Sequence, residues 1–215
     1  MSELHWNTIT PAMREVLSVF SKDALAGEFY LAGGTALALQ LGHRLSVDLD
    51  FFSPTQSDIP ALLEPLRHAL KEHSPVLSDS SWGNLVFLAE DVRVGFYGHG
   101  YSLVAPLVET EIGRLASVPD IALMKMDALL ARASRKDFHD LYAIGKGISL
   151  RELFDMAPGK YPSVRDFEAQ VTRHMVYFDR AEQETPVPLI ENVEWETVKA
   201  WFRKQAKEIG NSWLE

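Results

Sequence analysis

The sequence contains no cysteine, which excludes disulfides and thiolate-bound metals and fits a reducing compartment. No apolar run approaches the roughly 18 residues needed to cross a bilayer. The opening "MSELHWNTIT" lacks a basic flank followed by an apolar stretch, so the sequence reads as a cytoplasmic protein with no membrane partner. Positive charge is scarce as well: 21 Lys and Arg face 30 Asp and Glu, a net charge of −9. That balance excludes coating nucleic acid by bulk attraction, so any RNA contact must use a local basic patch. There is no Walker P-loop, nucleophile elbow or Rossmann fingerprint, and His43, His99 and His139 lack the spacing of a zinc helix. Low-complexity tracts and internal repeats are missing too. What remains is 215 residues at 47% apolar content, enough for one large domain or two small ones without staples.

Local patterns divide the chain. Thr10 as N-cap and Pro11 at the first helical position predict a helix to about Ala26, with Met13, Val16, Leu17 and Phe20 on one face. A strand at 29–32 leads through Gly33-Gly34 into the helix formers "TALALQL", closed by Gly42. Over 45–52 the residues alternate, with Val47, Leu49 and Phe51 on one side and Ser46, Asp48 and Asp50 on the other. "SDIPALLEPLRHALKEH" reads as helix with a kink or break at Pro65. Strands follow at 85–89 and 92–97. From about Val108 four Ser-x-x-acid patterns (Ser117/Asp120, Ser134/Asp137, Ser149/Glu152, Ser163/Asp166) can each start a helix by reciprocal capping. The expectation is an α+β fold: a small mixed sheet with flanking helices over 1–110, then a helical domain over 111–215, with the active cleft between them.

Two features carry chemistry. A strand ending in Gly33-Gly34 and opening a helix lets backbone N–H groups approach an anion, with Thr35 adding a hydroxyl; the plainer reading is a tight turn with no ligand. Asp48 and Asp50 share a strand face, where unit charges about 5 Å apart repel by roughly 3 kcal/mol at an effective dielectric of about 20. A divalent cation reverses that sign, and Mg²⁺ favours one or two carboxylates plus water and substrate phosphates. The plainer reading is a solvated face with Arg44 as counter-ion. Together, a phosphate cradle and an Asp-x-Asp beginning 14 residues after Gly34 are what metal-assisted nucleotidyl transfer needs.

At these residues the sequence resembles the polymerase-beta nucleotidyltransferase superfamily. More narrowly, "GGTALAL…HRLSVDLDFF" is similar to the AbiEii/AbiGii toxin-type nucleotidyltransferases of toxin–antitoxin and phage-defence systems. "DIALMKMDALLARASRKDFHDLYAI", 120–144, is similar to that family's helical motif. The resemblance implies an enzyme that moves an NMP from an NTP to an acceptor, by likeness an RNA such as tRNA, with Mg²⁺ or Mn²⁺ as cofactor and a cognate antitoxin as partner. It implies that Asp48 and Asp50 bind the metal, that Gly33, Gly34, Thr35 and Lys125 bind the nucleotide, and that Asp137 assists catalysis. As a single straight helix, 120–144 would line up Lys125, Arg132 and Lys136 in a basic stripe, which with Arg44 makes the candidate phosphate or RNA contacts. The plainer reading of the stripe is a solvated face. Asp137 would then fall on the apolar side, an expensive place for an unpaired carboxylate, unless Ser134 starts a new helix and Asp137 completes its capping box.

One position departs from the superfamily. In "DVRVGFYGH" the core-facing residues are Val92, Val94 and Phe96, which leaves Gly95 where a third carboxylate usually stands. This keeps open a non-catalytic nucleotide-binding module, while the lack of a strong basic field keeps open a small-molecule nucleotidyltransferase of the aminoglycoside-adenylyltransferase kind.

Overall fold

The computed structural model describes residues 3–98 and 102–214; His99 lies outside the described residues. Two compact units, Met1–Ser117 and Val118–Glu215, make up the chain.

In the first unit, helix α1 (Pro11–Phe20) opens as its sequence dictates, with the Thr10 hydroxyl accepting the Met13 N–H at 3.2 Å. It stops short of Ala26 because the Asp23 carboxylate takes the Leu25 N–H and starts a separate 3₁₀ turn, Ala24–Glu28. Strand β1 (Tyr30–Ala32) runs into α2 (Gly33–Leu41), which ends at Gly42 in the left-handed conformation, φ 68°. Strand β2 is shorter than the alternation predicts, covering only Asp48–Phe52. Val47 is 64% exposed and does not join Leu49 and Phe51 inside; just before it, the Ser46 N–H is bonded to the Thr8 carbonyl, away from the sheet. The break before α3 (Leu63–Ala69) also lies earlier than expected, after a 3₁₀ turn at Ile59–Leu62, which puts Pro65 in the helix's first turn where its missing N–H costs nothing.

Strands β3 (Val76–Ser81), β4 (Asn84–Ala89), β5 (Val92–Tyr97), β6 (Val108–Thr110) and β7 (Gly113–Leu115) complete a seven-stranded mixed sheet in the order β3-β4-β5-β2-β1-β7-β6. The helix-start patterns expected from about Val108 therefore take effect only after two short strands: β7 lies parallel to β1, with Leu115 opposite Leu31. The core of this unit centres on Phe96, whose ring lies 5.3 to 6.2 Å from those of Phe20, Phe29, Phe51 and Phe87. Truncating such a ring costs about 3–5 kcal/mol, enough to fix which face of β5 points inward. With Val92, Val94 and Phe96 inside, period two forces Arg93, Gly95 and Tyr97 onto the opposite face.

The second unit is helical throughout its described secondary structure: α4 (Val118–Ala131), α5 (Arg135–Ile144), α6 (Leu150–Lys160), α7 (Phe167–His174), α8 (Asp179–Gln183) and α9 (Trp195–Ser212). Phe138 packs against Phe178, Trp195 and Phe202 at 5.0 to 5.8 Å. A fully buried ion pair, Lys160 Nζ to Asp120 Oδ1 at 2.9 Å, ties α6 to α4. Ser149 and Glu152 form the reciprocal cap at α6. Ser163 and Asp166 do not, because α7 starts only after Asp166, itself in a left-handed conformation at φ 54°. The α+β class expected from sequence is the one observed.

The straight helix through 120–144 is broken. Ala133 adopts φ 44°, and α5 starts afresh from Ser134. Lys125, Arg132 and Lys136 consequently do not form one stripe.

Candidate active site

In the first unit the antiparallel register of β1 on β2 sets Ala32 beside Asp50, so the glycine turn that follows Ala32 arrives at the acidic strand. Gly33 has φ +64°, and a Cβ there would lie 3.0 Å from Asp50 Oδ2. Only glycine gives the backbone both this conformation and this approach. A Cβ on Gly34 would run into the Arg44 guanidinium, so Arg44 stands against the turn; its Nη1 also donates to the Leu45 carbonyl at 2.8 Å. Helix α2 opens here without a side-chain cap. Its first N–H groups have no helical acceptor and suit an anion. The Thr35 hydroxyl, by contrast, is buried and engaged: it bonds to the Asp48 carbonyl and to the Ser46 hydroxyl, the latter at 2.8 Å, tying α2 to the start of β2.

Asp48 and Asp50 lie on one face of β2, both partly exposed, with Leu49 buried between them on the other. Strand β5 runs parallel alongside, pairing Asp48 with Arg93, Asp50 with Gly95 and Phe52 with Tyr97. Period two along β5 puts Arg93 on this face. In the structure its Nη1 lies 3.5 Å from Asp50 Oδ1, and its Nη2 donates to the Tyr97 hydroxyl at 3.2 Å. Burial opposes the Arg93 charge, but the bond to Tyr97 and the nearby Asp50 and Asp48 more than offset it, raising its pKa. Burial first, then the Asp50 charge, pushes the Tyr97 phenol up, so it stays neutral.

Tyr97 also explains Gly95. A Cβ at Gly95 would meet the Tyr97 ring and hydroxyl at 2.5 to 2.7 Å, because the ring folds back along the strand toward Arg93. Glycine within a strand marks such a close approach. The place opposite Asp50 where a third carboxylate would project is filled by an aromatic ring. Gly95→Ala should therefore destabilise the chain by about 1–3 kcal/mol through overpacking, and the loss should shrink in a Tyr97→Ala background, as urea denaturation of the single and double variants can check.

Among the described residues no three His, Asp or Glu side chains gather as a metal cage. Two strand carboxylates instead fit a hard cation that keeps water and substrate oxygens as its remaining ligands.

The second unit holds the other candidates. Lys125, on α4, is almost fully buried, and its Nζ reaches Asp137 Oδ1 at 2.9 Å and Asp140 Oδ2 at 2.7 Å, both carboxylates being inaccessible. Arg132 forks onto the same Asp137, Nε to Oδ2 at 3.0 Å and Nη2 to Oδ1 at 3.1 Å. Burial would raise the Asp137 pKa, but Lys125 and Arg132 together hold it below the usual carboxylate value. The plainer readings hold only in part: Lys136 is solvated and Ser134 starts α5. Lys125 is not on a solvated face, and although Ser134 is the N-cap of α5 its side chain makes no cap bond, so Asp137 completes no capping box. Asp140 lies in the quoted helical motif but carries no role in the sequence reading; its signal is the i, i+3 spacing from Asp137, which sets both carboxylates on one side of α5. Lys136 is exposed on α5 and outside this cluster.

A family model described as the nucleotidyl transferase AbiEii toxin of a type IV toxin–antitoxin system matches residues 15–81, the stretch that holds the glycine turn and both strand aspartates. Across 206 residues the chain is 32% identical to the uncharacterized Aquifex aeolicus protein aq_aa25, covering 91% of this chain and 94% of that one. Among solved structures, the Mycobacterium tuberculosis nucleotidyltransferase toxin MenT4 superposes with a TM-score of 0.59 at 15% identity, over 91% of this chain and 82% of that one. The antibiotic-resistance factor ANT(2'')-Ia gives 0.51 at 14% identity, over 75% and 97%. At such identities these two speak for fold alone. With the family match covering the glycine turn and the paired aspartates, the chain belongs to the AbiEii nucleotidyltransferase toxin family.

Proposed function

We propose that this chain is a Mg²⁺-dependent enzyme that transfers an NMP from an NTP to an RNA acceptor of the tRNA class, acting as the toxin of a toxin–antitoxin pair. The observation that carries the reading is the glycine turn set against the acidic strand, with the Gly33 Cβ position 3.0 Å from Asp50 Oδ2. An uncapped helix start and a carboxylate pair thus serve the two halves of a metal triphosphate: backbone N–H groups for the phosphate oxygens, Asp48 and Asp50 for the cation. When bound, the cation neutralises the triphosphate and activates the attacking oxygen. Arg44, beside Gly34, adds positive charge at the phosphates. Lys125 and Asp137 take their roles toward nucleotide and catalysis from the family resemblance.

Incubation of the purified chain with each labelled NTP, Mg²⁺ and total RNA tests the reading directly. Label on RNA of tRNA size is the expected result. Label on a small molecule alone would overturn the RNA acceptor and leave a small-molecule transferase. Nucleotide binding with no transfer to any acceptor would leave a binding module, the reading that the Tyr97 ring over Gly95 favours. In cells, wild-type expression should slow growth, and co-expression of a cognate antitoxin should relieve it.

Lys136 is the cleaner probe of the RNA contact, because Arg132 is committed to Asp137 whereas Lys136 is exposed. Lys136→Glu should weaken RNA labelling several-fold, reduce the slope of log affinity against log salt by about one, and leave NTP binding unchanged. An unaltered salt slope would remove Lys136 from the contact.

A further inference from the structure

The arginine beside the metal-type aspartates is unexplained by the family chemistry just described. A guanidinium 3.5 Å from Asp50 Oδ1 partly neutralises the pair that is to bind a dication. The contact is long and its side chains are 45% and 26% exposed, so it is weak and exchangeable. It is also tethered at a second point. The Tyr97 hydroxyl accepts from Arg93 Nη2 at 3.2 Å, and the Tyr97 ring is fixed by stacking on Phe52, centroids 5.0 Å apart and planes 26° from parallel. Gly95 leaves the room in which that ring lies.

We propose that Arg93 is a resident cation that stands in for the metal at Asp50 while nucleotide is absent, so that the divalent ion is taken up together with the nucleotide's phosphates rather than before them. The inference rests on the reading of Asp48 and Asp50 as metal ligands. With Arg93 in place, the two carboxylates carry a local charge of about −1 instead of −2, which weakens capture of a bare dication. The position across from Asp50, where a third carboxylate would strengthen that capture, is roofed by Tyr97. A metal arriving on a triphosphate brings its own oxygen ligands and needs neither aid. On its arrival the guanidinium leaves Asp50 but stays hydrogen-bonded to Tyr97 at the rim of the site, where its planar fork suits a phosphate oxygen pair. Arg93 is thus a positioning residue that makes metal and nucleotide binding cooperative, and Tyr97 holds it in reach.

The test uses the whole chain and Mn²⁺ as the probe, its binding followed by electron paramagnetic resonance with and without a non-hydrolysable NTP analogue. Wild type should bind Mn²⁺ weakly alone and at least about tenfold more tightly with the analogue, a normal size for coupling between ligands. Arg93→Met should bind Mn²⁺ alone about tenfold more tightly than wild type and lose most of the gain from nucleotide. Arg93→Lys should keep the wild-type pattern in part, and Tyr97→Phe should shift Mn²⁺ binding in the same direction as Arg93→Met but less. Nucleotide-free Mn²⁺ affinity that is unchanged or weaker in Arg93→Met overturns the inference. Asp50→Asn separates the two readings: if it retains Mn²⁺ binding in the presence of the analogue, the metal assignment itself is wrong. If it loses that binding while Arg93→Met matches wild type, only the role of Arg93 fails. Circular dichroism melts of each variant exclude misfolding as the cause, and the 45% exposure of the Arg93 side chain leaves the fold tolerant of the change.

Discussion

Asp48→Asn should lower nucleotidyl transfer by at least about 10²–10³-fold while leaving the melting temperature unchanged or slightly raised. The two halves of this expectation have one cause. Asp48 and Asp50 project from the same face of β2, so in the ligand-free protein their charges oppose each other, and removing one relieves repulsion. On the proposed reading the same charge holds the cation that offsets the triphosphate, and an amide is a much poorer partner for hard Mg²⁺. A residue that is costly to the resting fold and needed by the ligand is the signature of a site kept for function. Transfer of label from NTP, measured beside a thermal melt of the same preparation, checks both halves. Activity within tenfold of wild type would remove Asp48 from the metal site; a large fall in melting temperature would make it a structural residue instead.

The parts of this site that sequence reveals are those with a short-range period. Leu49 and Phe51 turn inward and so fix the outward face of Asp48 and Asp50, and Val92, Val94 and Phe96 do the same for the face bearing Gly95. Gly33-Gly34 and Gly42 mark the two ends of α2 because each needs a backbone that other residues resist or a close approach that they block. What sequence misses depends on which strands lie side by side. Nothing local says that β5 runs parallel to β2 with Gly95 opposite Asp50, and without that pairing Arg93 and Tyr97 have no reason to concern Asp50 at all. Strand β3 was missed because "VLSDSS" is almost wholly exposed and offers no apolar alternation, while β6 and β7 are three residues each and too short to show a period. Ser134 illustrates a signal half right: it marks a helix start, yet Asp137 is drawn to Lys125 and Arg132, and a charged pair outcompetes a neutral cap bond.

Asp137→Ala should destabilise the chain by about 3–5 kcal/mol, the usual consequence of removing one member of a buried ion-pair cluster. Lys125, Arg132, Asp137 and Asp140 balance to zero formal charge, and Asp137 is the member that both cations share. Its loss leaves a net positive cluster beside buried Phe138, with Lys125 held by Asp140 and the Arg132 fork emptied of its acceptor here. For a domain of this size the melting temperature should fall by roughly 10 °C or more. The depressed Asp137 pKa gives the pH dependence its sign. Because its folded value lies below its unfolded value near 3.9, the carboxylate contributes stability that is fully present above that value and is lost as pH falls through the folded one. Wild type should therefore lose this increment only in acid, below about pH 4, and Asp137→Asn should lack that part of the acid limb. Activity adds the decisive comparison, taken well below the variant's melting temperature, where the chain remains folded. Transfer that recovers under those conditions makes Asp137 a structural anchor for Lys125. Transfer that stays lost while the melt barely moves reverses the argument: the carboxylate would then act in the reaction itself, and the ion pairs around it would serve to hold it charged and in place.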